Sequence, residues 1–420
     1  MELSVPSQVA EIIGILKEHT YEAYLVGDCV RLLLKGENCL DFDIKTDAEL
    51  GRLLAIFEDR FKTNTDYVNK GELIIINGAM GISVSPYRSR MAEDGRPVYC
   101  HTPEEDLKRR AFRANAVAYN LTDGIFDPFG GYEELMGENV VLSAIVTDEP
   151  AQKKAVKGKP EPVSTTFSVF ENSPEAMLEA IRRYSTEGVE VSEETLANIC
   201  ENPEIIFRVS REEFQRNFRS IMLGKRVTDT LMQFKEIFFA LIPKLRETDG
   251  YDQRSIVQEY PLYEHIARSV GYAVPDFTIR TALLFHGIGK PDCAADMGTH
   301  ISYSGHAVRG SMLTREIMTE LEFPAELTRQ VSFLVYHHDD DINESNYTSY
   351  TAEYGTDNAR MMVLMKAADI RAKRSDYDYE QRAGELRFVA DEIGRIGNEY
   401  TRKNSVTLAD LKKLTESLGL

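Results

Sequence analysis

Residues 24–48 read YLVGDCVRLLLKGENCLDFDIKTDA and predict a strand, a helix and a second strand. The apolar run at 24–26 is typical of a short strand, and Gly27 after it lets the backbone turn into a helix. The second strand is predicted at 40–45, where apolar and polar residues alternate. The order strand, glycine turn, helix and strand indicates an N-terminal domain of mixed α and β structure.

The second strand carries a candidate site. Its alternation places Leu40, Phe42 and Ile44 on the core side, and Asp41 and Asp43 together on the opposite face. Two carboxylates at i and i+2 on a strand repel each other unless a divalent cation lies between them. Because Mg²⁺ takes one or two carboxylates together with water and substrate phosphates, the pair predicts a magnesium site. A solvated edge of the sheet is the alternative that an isolated D-x-D pattern leaves open.

Length and composition bound the class of protein. A chain of 420 residues predicts two to four domains, and 43% hydrophobic with 28% charged residues is typical of a globular protein. The sequence has no apolar stretch of about 18 residues and no basic N-terminal region, so we expect neither a membrane span nor a signal peptide. The five cysteines are scattered and never in C-x-x-C spacing, which favours reduced thiols in a cytoplasm.

The net charge of -19 argues against a general nucleic-acid coat. Affinity for RNA comes largely from neutralising its phosphates, so any RNA surface must be local. Each basic cluster in the sequence is equally consistent with a solvated helix face or a linker. The clusters lie at 108–113, 153–159 and 208–226.

The order Gly-x-x-x-Arg, helix and D-x-D-I-x-T resembles the head domain of the tRNA nucleotidyltransferase (CCA-adding enzyme) and bacterial poly(A) polymerase family, whose pattern is G-G-x-V-R-D followed by D-x-D-I-A-T. The resemblance implies that Asp41 and Asp43 are catalytic and hold Mg²⁺, and that Gly27, Asp28 and Arg31 lie at the nucleotide. The family's second glycine is Asp28 here, and an acidic side chain there would repel phosphate.

Two further segments extend the resemblance to the family's head. The T-P-E-E capping box predicts a helix from Pro103 to about Tyr119, and its sequence resembles the family's E-D-L-x-R-R-D-F-T-I-N-A-x-A-Y. This implies that Arg110 meets the triphosphate and that Asn115 belongs to the nucleotide site. The strand that supplies the third metal-site carboxylate in the family has Ser83 in that place, and a hydroxyl cannot replace the charge.

Residues 146–166 are rich in Lys, Pro and small polar residues, which predicts a flexible linker or inserted loop. A helix is predicted after it, opening at Ser173 and continuing through Arg183. This helix resembles the family's neck helix, which selects the base of the incoming CTP or ATP. Because Arg182 alone survives among the base-selecting positions, we expect weak base selection. The family's aspartate and three arginines fall, in order, on Ser173, Ala176, Glu179 and Arg182.

From about residue 250 the chain resembles the HD phosphohydrolase domain, which many such nucleotidyltransferases carry. His265, His286 and Asp369 match three metal ligands of that domain and would hold one ion weakly. The aspartate of the defining His-Asp pair is Gly287, so we expect no two-metal hydrolytic site. Histidines satisfied within a core are the structural alternative.

We therefore predict an α+β protein. A nucleotidyltransferase (polymerase-beta-like) head with a small mixed sheet occupies 1–145, the linker 146–166, an all-α neck and body 167–249, and an all-α HD-like domain with C-terminal helices 250–420. By resemblance, it would transfer nucleotides from ATP or CTP to an RNA 3′ end, a tRNA in this family, with Mg²⁺ and without a membrane. A catalytically degenerate RNA-binding pseudoenzyme and an HD-type phosphohydrolase are the alternatives.

Overall fold

The computed structural model describes residues 3–78, 80–91, 96–137, 141–145, 170, 173–255, 257–373, 387–388, 391–393, 395 and 407–417. The chain forms two compact units. Met1–Ser173 and Val189–Asn198 make up the first, and Pro174–Gly188 and Ile199–Leu420 make up the second. The predicted linker lies outside the described residues, and the finer division into body and HD-like domain stays a prediction.

The first unit is built on strands. In chain order they are β1 (Ala23–Val26), β2 (Asp41–Thr46), β3 (Lys62–Asn64), β4 (Leu73–Asn77), β5 (Met80–Pro86), β6 (Arg88–Met91), β7 (Pro97–Tyr99), β8 (Ala118–Asn120), β9 (Gly124–Phe126), β10 (Val141–Leu142) and β11 (Glu190–Val191). Seven of them form one sheet in the order β3-β4-β5-β2-β1-β8-β9. The pair β2 and β5 is parallel and the other pairs are antiparallel. The predicted mixed sheet and the α+β class are confirmed.

Helices cover this sheet and connect its strands. The helix α1 follows Pro6, and its buried residues recur at helical spacing, which gives it one apolar face toward the core. In the described part of the first unit the helices are α1 (Ser7–Glu18), α2 (Asp28–Leu34), α3 (Leu50–Phe57), α4 (Pro103–Lys108) and α5 (Gly131–Met136).

The strand β2 follows the predicted alternation over most of its length. Phe42 and Ile44 are buried, whereas Asp41 and Asp43 are exposed. The prediction for Leu40 is wrong, since this side chain is 64% exposed. The chain bends at residue 40, and pairing with β5 begins only at Asp41, so the alternation does not extend that far.

The long helix predicted from Pro103 to Tyr119 is also wrong. Its start is correct, because the Thr102 side chain accepts a hydrogen bond from the Glu105 N–H at 3.3 Å, but α4 ends at Lys108. Phe112 is extended and buried, and β8 then pairs with β1. The sheet needs a neighbour for β1, and this tertiary pairing overrides the helical propensity of the segment.

The described part of the second unit is helical apart from the two-residue strands β12 (Ala295–Asp296) and β13 (Ile301–Ser302). The predicted neck helix begins at Pro174, as expected. Among the described residues, no helix combines the length and apolar character that crossing a membrane requires. The helices after α5 are α6 (Pro174–Glu187), α7 (Glu193–Glu201), which spans the boundary between the units, α8 (Arg211–Leu223), α9 (Val227–Gln233), α10 (Lys235–Leu241), α11 (Pro243–Arg246), α12 (Leu262–Tyr272), α13 (Phe277–Phe285), α14 (Lys290–Cys293), α15 (His306–Glu320), α16 (Ala325–His337), α17 (Tyr347–Tyr354), α18 (Thr356–Arg371) and α19 (Leu408–Ser417).

A buried arginine ties three of these helices together. Arg280 on α13 donates to the carbonyl oxygens of Met222 at 2.7 Å and Gly224 at 3.0 Å, at the end of α8. It also donates to the carbonyl of Ala273, after α12, at 3.0 Å. Since the last carbonyls of a helix have no partner within the helix, the guanidinium satisfies them and fixes where α8 and α12 end.

Candidate functional site

The first candidate site lies on the exposed face of the sheet in the first unit. Gly27 links β1 to α2 with φ +79° and ψ −144°. A Cβ placed on it would lie 3.2 Å from Arg110 Nη1 and 3.7 Å from Asp43 Oδ2. The structure therefore brings three predicted site residues together, because glycine lets the backbone pass close to both side chains.

The two carboxylates of β2 are framed by the neighbouring strand. Asp41 pairs with Gly81, whose Cβ would lie 3.3 Å from Asp41 Oδ1, and Asp43 pairs with Ser83. Paired residues of neighbouring strands point to the same face, so Ser83 stands beside Asp43 where a third carboxylate would be. Two carboxylates and a hydroxyl fit one magnesium ion that completes its shell with water and phosphate.

Asp43 sits among opposing charges. Burial by the surrounding protein raises the pKa of Asp43, although its side chain keeps access to solvent. The cations of Arg110 and Lys45 oppose that rise. Arg110 is therefore electrostatically coupled to the proposed metal carboxylates as well as near Gly27.

Sequence reasoning missed Lys45. Its side chain follows Asp41 and Asp43 on the same face of β2 but is only 4% exposed, and Nζ donates to Ser85 Oγ at 2.5 Å. Burial lowers the pKa of Lys45 to about 7, opposed by the charge of Asp106. The alternation of β2 could have placed Lys45 on the same face as Asp41 and Asp43. The burial of Lys45 depends on residues elsewhere in the chain, such as Ser85 and Asp106.

A buried carboxylate organises the cations beside Lys45. Asp106 is 1% exposed, accepts from the Arg88 backbone N–H at 3.0 Å and lies 3.5 Å from Arg109 Nε. Arg88 also pairs with Glu72 at 3.1 Å. Arg109, from the basic cluster at 108–113 for which an RNA surface and a solvated helix face or linker were both left open, thus lies beside a buried carboxylate.

Other predicted nucleotide ligands have protein partners. Arg31 donates to Asp28 Oδ1 at 3.2 Å, within the first turn of α2. Asp28 is 77% exposed, so this pair is open to solvent and costs little to break. Asn115 is half-buried in a short 3₁₀ turn, Arg113–Asn115.

Arg182 has its ion-pair partner, Glu187, on its own helix, the neck helix α6. Arg182 lies 3.3 Å from Glu187 Oε1, and the neighbouring Arg183 lies 3.1 Å from Glu187 Oε2. The two arginines therefore share one carboxylate. Ala176 is buried, and Glu179 pairs with Arg183 at 3.7 Å. The polar groups of this helix satisfy one another, a pairing that the alignment of motifs did not indicate.

Several arginines of the 208–226 cluster also contact protein groups. Arg219 lies 4.9 Å from the Phe277 ring centroid, and Arg226 donates to Tyr184 Oη at 2.7 Å. Arg216 pairs with Glu213. Arg216 and Arg219 nevertheless keep exposed side chains, so these contacts do not exclude them from binding RNA.

The second candidate site lies within the second unit. His265 on α12, His286 after α13 and Asp369 on α18 are brought together as predicted. Nε2 of His265 lies 3.2 Å from Nε2 of His286 and 3.0 Å from Asp369 Oδ1, and the third side of the triangle is 3.6 Å. We call these three residues the first metal cluster.

The hydrogen bonds of these imidazoles fix their tautomers. Nδ1 of His286 lies 2.6 Å from the Leu283 carbonyl oxygen, and Nδ1 of His265 lies 3.4 Å from that of Ala372. A carbonyl only accepts, so each Nδ1 carries the proton and each Nε2 presents a lone pair. Two lone pairs that face each other repel, and a cation between them removes the conflict.

The dimensions of the first metal cluster suit a divalent ion. The circle through the three ligand atoms has a radius of about 1.9 Å. This spacing would allow the three atoms to hold a divalent ion such as Zn²⁺, whose bonds to imidazole and carboxylate are about 2.0–2.2 Å long. The donor set of two imidazoles and one carboxylate fits a first-row divalent metal.

A second histidine pair, which sequence reasoning did not select as ligands, lies beside it. Nε2 of His306 and Nε2 of His338 are 3.1 Å apart, and Asp339 is within reach of both. Their Nδ1 atoms donate to the carbonyls of Tyr303 and Val335. The spacing of histidines in the sequence contained this signal, but only the packing of α15 against α16 shows that they face each other.

The protonation states in the first metal cluster and in the neighbouring histidine pair favour metal binding. Burial lowers the pKa of His338 to about 4 and holds that of His286 well below its ordinary value. Burial alone would raise the pKa of Asp369, but the Lys373 ammonium holds it well below its usual range. Neutral imidazoles and an ionised carboxylate are the forms that bind metals.

Gly287 leaves no place for a bridging carboxylate. A Cβ on Gly287 would lie 2.8 Å from Leu262 Cδ1 and 3.1 Å from Ile266 Cδ1. This side of the chain is packed against α12. Apolar side chains of α12 therefore occupy the space that a side chain at position 287 would need.

A cavity of about 650 Å³ opens onto both histidine groups. Lys290 and Lys373 contribute to its wall, with Tyr303 and Tyr336 nearer the rim. Lys290 donates to Gln253 Oε1 at 2.9 Å, and burial lowers the pKa of Lys290 to about 8. The cavity combines metal-ligating groups with ammonium groups, as a site for a phosphate-bearing ligand requires.

The match to a known domain agrees with the first unit. Residues 23–141 match the family described as "Poly A polymerase head domain". This segment holds Gly27, Asp41, Asp43 and Arg110 and all seven strands of the large sheet. The first unit is thus built around a poly(A) polymerase head.

Curated relatives extend the similarity beyond the head. The CCA-adding enzyme of Geobacillus kaustophilus (strain HTA426) is 28% identical over 244 residues, which are 57% of this chain and 55% of that protein. The CCA-adding enzyme of Geobacillus sp. (strain WCH70) is 26% identical over 267 residues, 62% of this chain and 60% of that protein. The chain is thus similar to CCA-adding enzymes, and its N-terminal segment matches the poly(A) polymerase head domain. It spans less than two thirds of the length of these relatives.

Solved structures share the fold. The CCA-adding enzyme of Bacillus stearothermophilus in complex with CTP superimposes with a TM-score of 0.54 and 21% identity, over 86% of this chain and 77% of that one. The Thermotoga maritima CCA-adding enzyme complexed with tRNA gives a TM-score of 0.55 and 15% identity, over 86% and 79%. These similarities extend over both units of the chain.

Proposed function

We propose that this protein transfers nucleotides from an NTP to the 3′ end of an RNA, with release of pyrophosphate. The observation that carries the proposal is the joint placement of Asp41 and Asp43 on the exposed face of β2, beside Gly27 and Arg110. This placement occurs within the segment that matches a poly(A) polymerase head. The relatives named above are CCA-adding enzymes, so a tRNA is the proposed acceptor and CTP and ATP are the proposed donors.

Each group has a proposed role. Asp41 and Asp43 hold Mg²⁺, which when bound polarises the phosphate and neutralises developing charge. Arg110 contacts the triphosphate, and Gly27 lets the nucleotide approach the backbone of the turn. Arg31 adds a phosphate contact once it leaves its exposed pair with Asp28.

We further infer that transfer is slow and poorly selective for the base. Ser83 provides no third carboxylate, so the clamp on metal and phosphate is weaker. Ala176 and Glu179 do not provide the donors that read a base edge, where a bidentate pair supplies roughly 1–3 kcal/mol of discrimination.

The described cysteines are all free thiols, which supports a cytoplasmic location.

The test is incubation with a tRNA lacking its 3′ end and each labelled NTP in turn. We expect incorporation that depends on Mg²⁺, differs little between NTPs and falls at least about 100-fold in the Asp41→Ala/Asp43→Ala protein. Asp59→Ala removes an exposed carboxylate of the same unit and is the matched control. Activity that survives the double substitution would exclude the head as the active site, and fast addition of CTP and then ATP would contradict poor selectivity.

The convergence of two imidazoles and a carboxylate favours a second function, divalent-metal binding at a site in the second unit that resembles the HD phosphohydrolase pocket. The first metal cluster would hold one divalent ion, and His306 and His338 would add ligands nearby. Because position 287 has no bridging carboxylate, we expect hydrolysis of phosphate esters to be weak or absent.

Metal analysis of the purified chain tests this second site. We expect His286→Ala to lose most of the bound transition metal. His337→Ala is the control, since His337 pairs with Asp340 at 2.6 Å instead of facing the cluster. Equal metal content in the two variants would exclude the cluster as a metal site. If the chain shows neither transfer nor hydrolysis but binds RNA, the pseudoenzyme alternative stands.

A further inference from the structure

Two carboxylates outside β2 act on Asp43, and one of them, Glu72, has no role in the functions proposed above. Burial is the main cause of the raised pKa of Asp43, and the negative charges of Glu72 and Asp28 add to it. Asp28 is 77% exposed and pairs with Arg31 at 3.2 Å, so its carboxylate lies in solvent. Glu72 is only 26% exposed, which makes it the better fixed of the two carboxylates.

The strands place Glu72 on the same face of the sheet as Asp43. In β5, Ser83 pairs with Ile74 of β4 on one side and with Asp43 of β2 on the other. Paired residues point to the same face, and Glu72 lies directly before β4 and two residues before Ile74, so it shares that face. The burial of β4 agrees, because the intervening Leu73 is fully buried on the opposite face.

An arginine holds the Glu72 carboxylate in place. Arg88 Nη2 lies 3.1 Å from Glu72 Oε1, and the Arg88 side chain is itself mostly buried. The Arg88 backbone N–H donates to the buried Asp106 carboxylate at 3.0 Å, which fixes the backbone of the arginine. Since a carboxylate has two oxygens, Glu72 can keep Arg88 on one of them and offer the other to a cation.

A divalent ion at the β2 carboxylates would gain from a further negative charge. The positive charges of Arg110 and Lys45 act on Asp43 and oppose the entry of a cation. Ser83, which stands beside Asp43, offers a hydroxyl without charge. Glu72 supplies a negative charge on the same face of the sheet, and the number of charged ligands sets the affinity of a site for a hard cation.

We propose that Glu72 is the third acidic ligand of the metal ion that Asp41 and Asp43 hold, in the role that Ser83 cannot fill. Glu72 shares its carboxylate with Arg88, so it binds the ion less strongly than an unshared carboxylate would, and the slow transfer proposed above still holds. This inference rests on the proposed transfer function, because it needs the metal site of β2. It is independent of the histidine groups of the second unit.

The test measures Tb³⁺ binding to the full chain without nucleotide. Tb³⁺ is a hard cation that takes oxygen ligands, and its luminescence lifetimes in H₂O and D₂O count the waters bound to it. Binding that Asp41→Ala/Asp43→Ala removes is assigned to the head. We expect Glu72→Gln to weaken this binding about tenfold and to add about one bound water, because one charge and one ligand are lost. Glu58→Gln, which removes an exposed carboxylate of the same unit, should change neither.

A carboxylate on the neighbouring strand separates ligation from structure. Ser83→Asp in the Glu72→Gln protein should restore the affinity to within about threefold of the wild type and remove the extra water, which a purely structural role of Glu72 would not allow. A defect that Ser83→Asp leaves unchanged would overturn the proposal. So would a Glu72→Gln protein with wild-type affinity and water count, or a loss seen in Asp28→Asn instead.

The double substitution on β2 distinguishes the failure of this inference from that of the proposed function. If Asp41→Ala/Asp43→Ala leaves all Tb³⁺ binding intact, the head holds no metal, and the transfer function fails together with the role of Glu72. If the double substitution removes the binding and Glu72→Gln does not weaken it, only the role of Glu72 is wrong.

Discussion

Replacing Gly27 with alanine should perturb the backbone and the nucleotide site together. With φ +79° and ψ −144°, Gly27 occupies a region that glycine enters freely and an L side chain does not, at a cost of about 1–3 kcal/mol. The new Cβ would lie 3.2 Å from Arg110 Nη1, closer than an ordinary contact, but 3.7 Å from Asp43 Oδ2. Arg110 must therefore shift by a few tenths of an ångström, and Asp43 need not move.

We expect Gly27→Ala to lower the free energy of unfolding by about 1–3 kcal/mol and to weaken NTP binding about three- to tenfold, since misplacement of a positioning group by 1 Å can cost about 100-fold. Urea unfolding and titration calorimetry with Mg²⁺ and NTP measure the two effects. Gly36→Ala has strain without contact, because φ is +70° and nothing lies within 4 Å. Gly81→Ala has the opposite combination, since its Cβ would contact Asp41 Oδ1 at 3.3 Å without a positive φ.

The two controls make the prediction refutable in each part. If Gly27→Ala binds NTP as tightly as Gly36→Ala does, Arg110 does not contact the phosphates and its proposed role is wrong. If Gly27→Ala is as stable as the wild type, the backbone argument fails. A loss of NTP binding confined to Gly81→Ala would assign the nucleotide to the Asp41 side alone.

Two more substitutions test the packing. Asp292 accepts hydrogen bonds from Lys244 at 2.5 Å and Arg309 at 2.7 Å, which lower its pKa. Ionised Asp292 therefore stabilises the fold above the unfolded pKa near 4, and this stabilisation is lost as the pH falls. Asp292→Asn should lower the free energy of unfolding, measured with urea, by about 1 kcal/mol at pH 7 and by almost nothing near pH 2. Equal losses at the two pH values would contradict this. Gly131→Ala would place Cβ 1.9 Å from a backbone carbonyl oxygen and should lower the free energy of unfolding by about 3 kcal/mol or more. Gly51→Ala, which has open space around Cβ, should not lower it. Identical thermal unfolding curves for the two variants would show that the close contact at Gly131 is wrong.

The sequence by itself determined the elements whose causes are local. The alternation of β2 placed Phe42 and Ile44 inside and Asp41 and Asp43 outside, because successive side chains of a strand point to opposite faces. The glycine turn at Gly27 follows from the steric freedom of that residue. The hairpin of β4 and β5 has a similar local cause, since Asn77 and Gly78 stand between two apolar runs.

Tertiary structure decided the features that depend on distant partners. The segment after Lys108 leaves the helix because β8 pairs with β1, about 90 residues earlier in the chain. Lys45 is buried, with its Nζ donating to Ser85 of β5 and the charge of Asp106 on α4 acting on it. No local pattern encodes these pairings.

The C-terminal site shows the same division. The sequence supplied His265, His286 and Asp369 as residue types, but their ligand atoms meet only because α12, α13 and α18 pack together. Charge balance within a cavity depends on distances between side chains from several helices, and those distances arise only when the helices have packed.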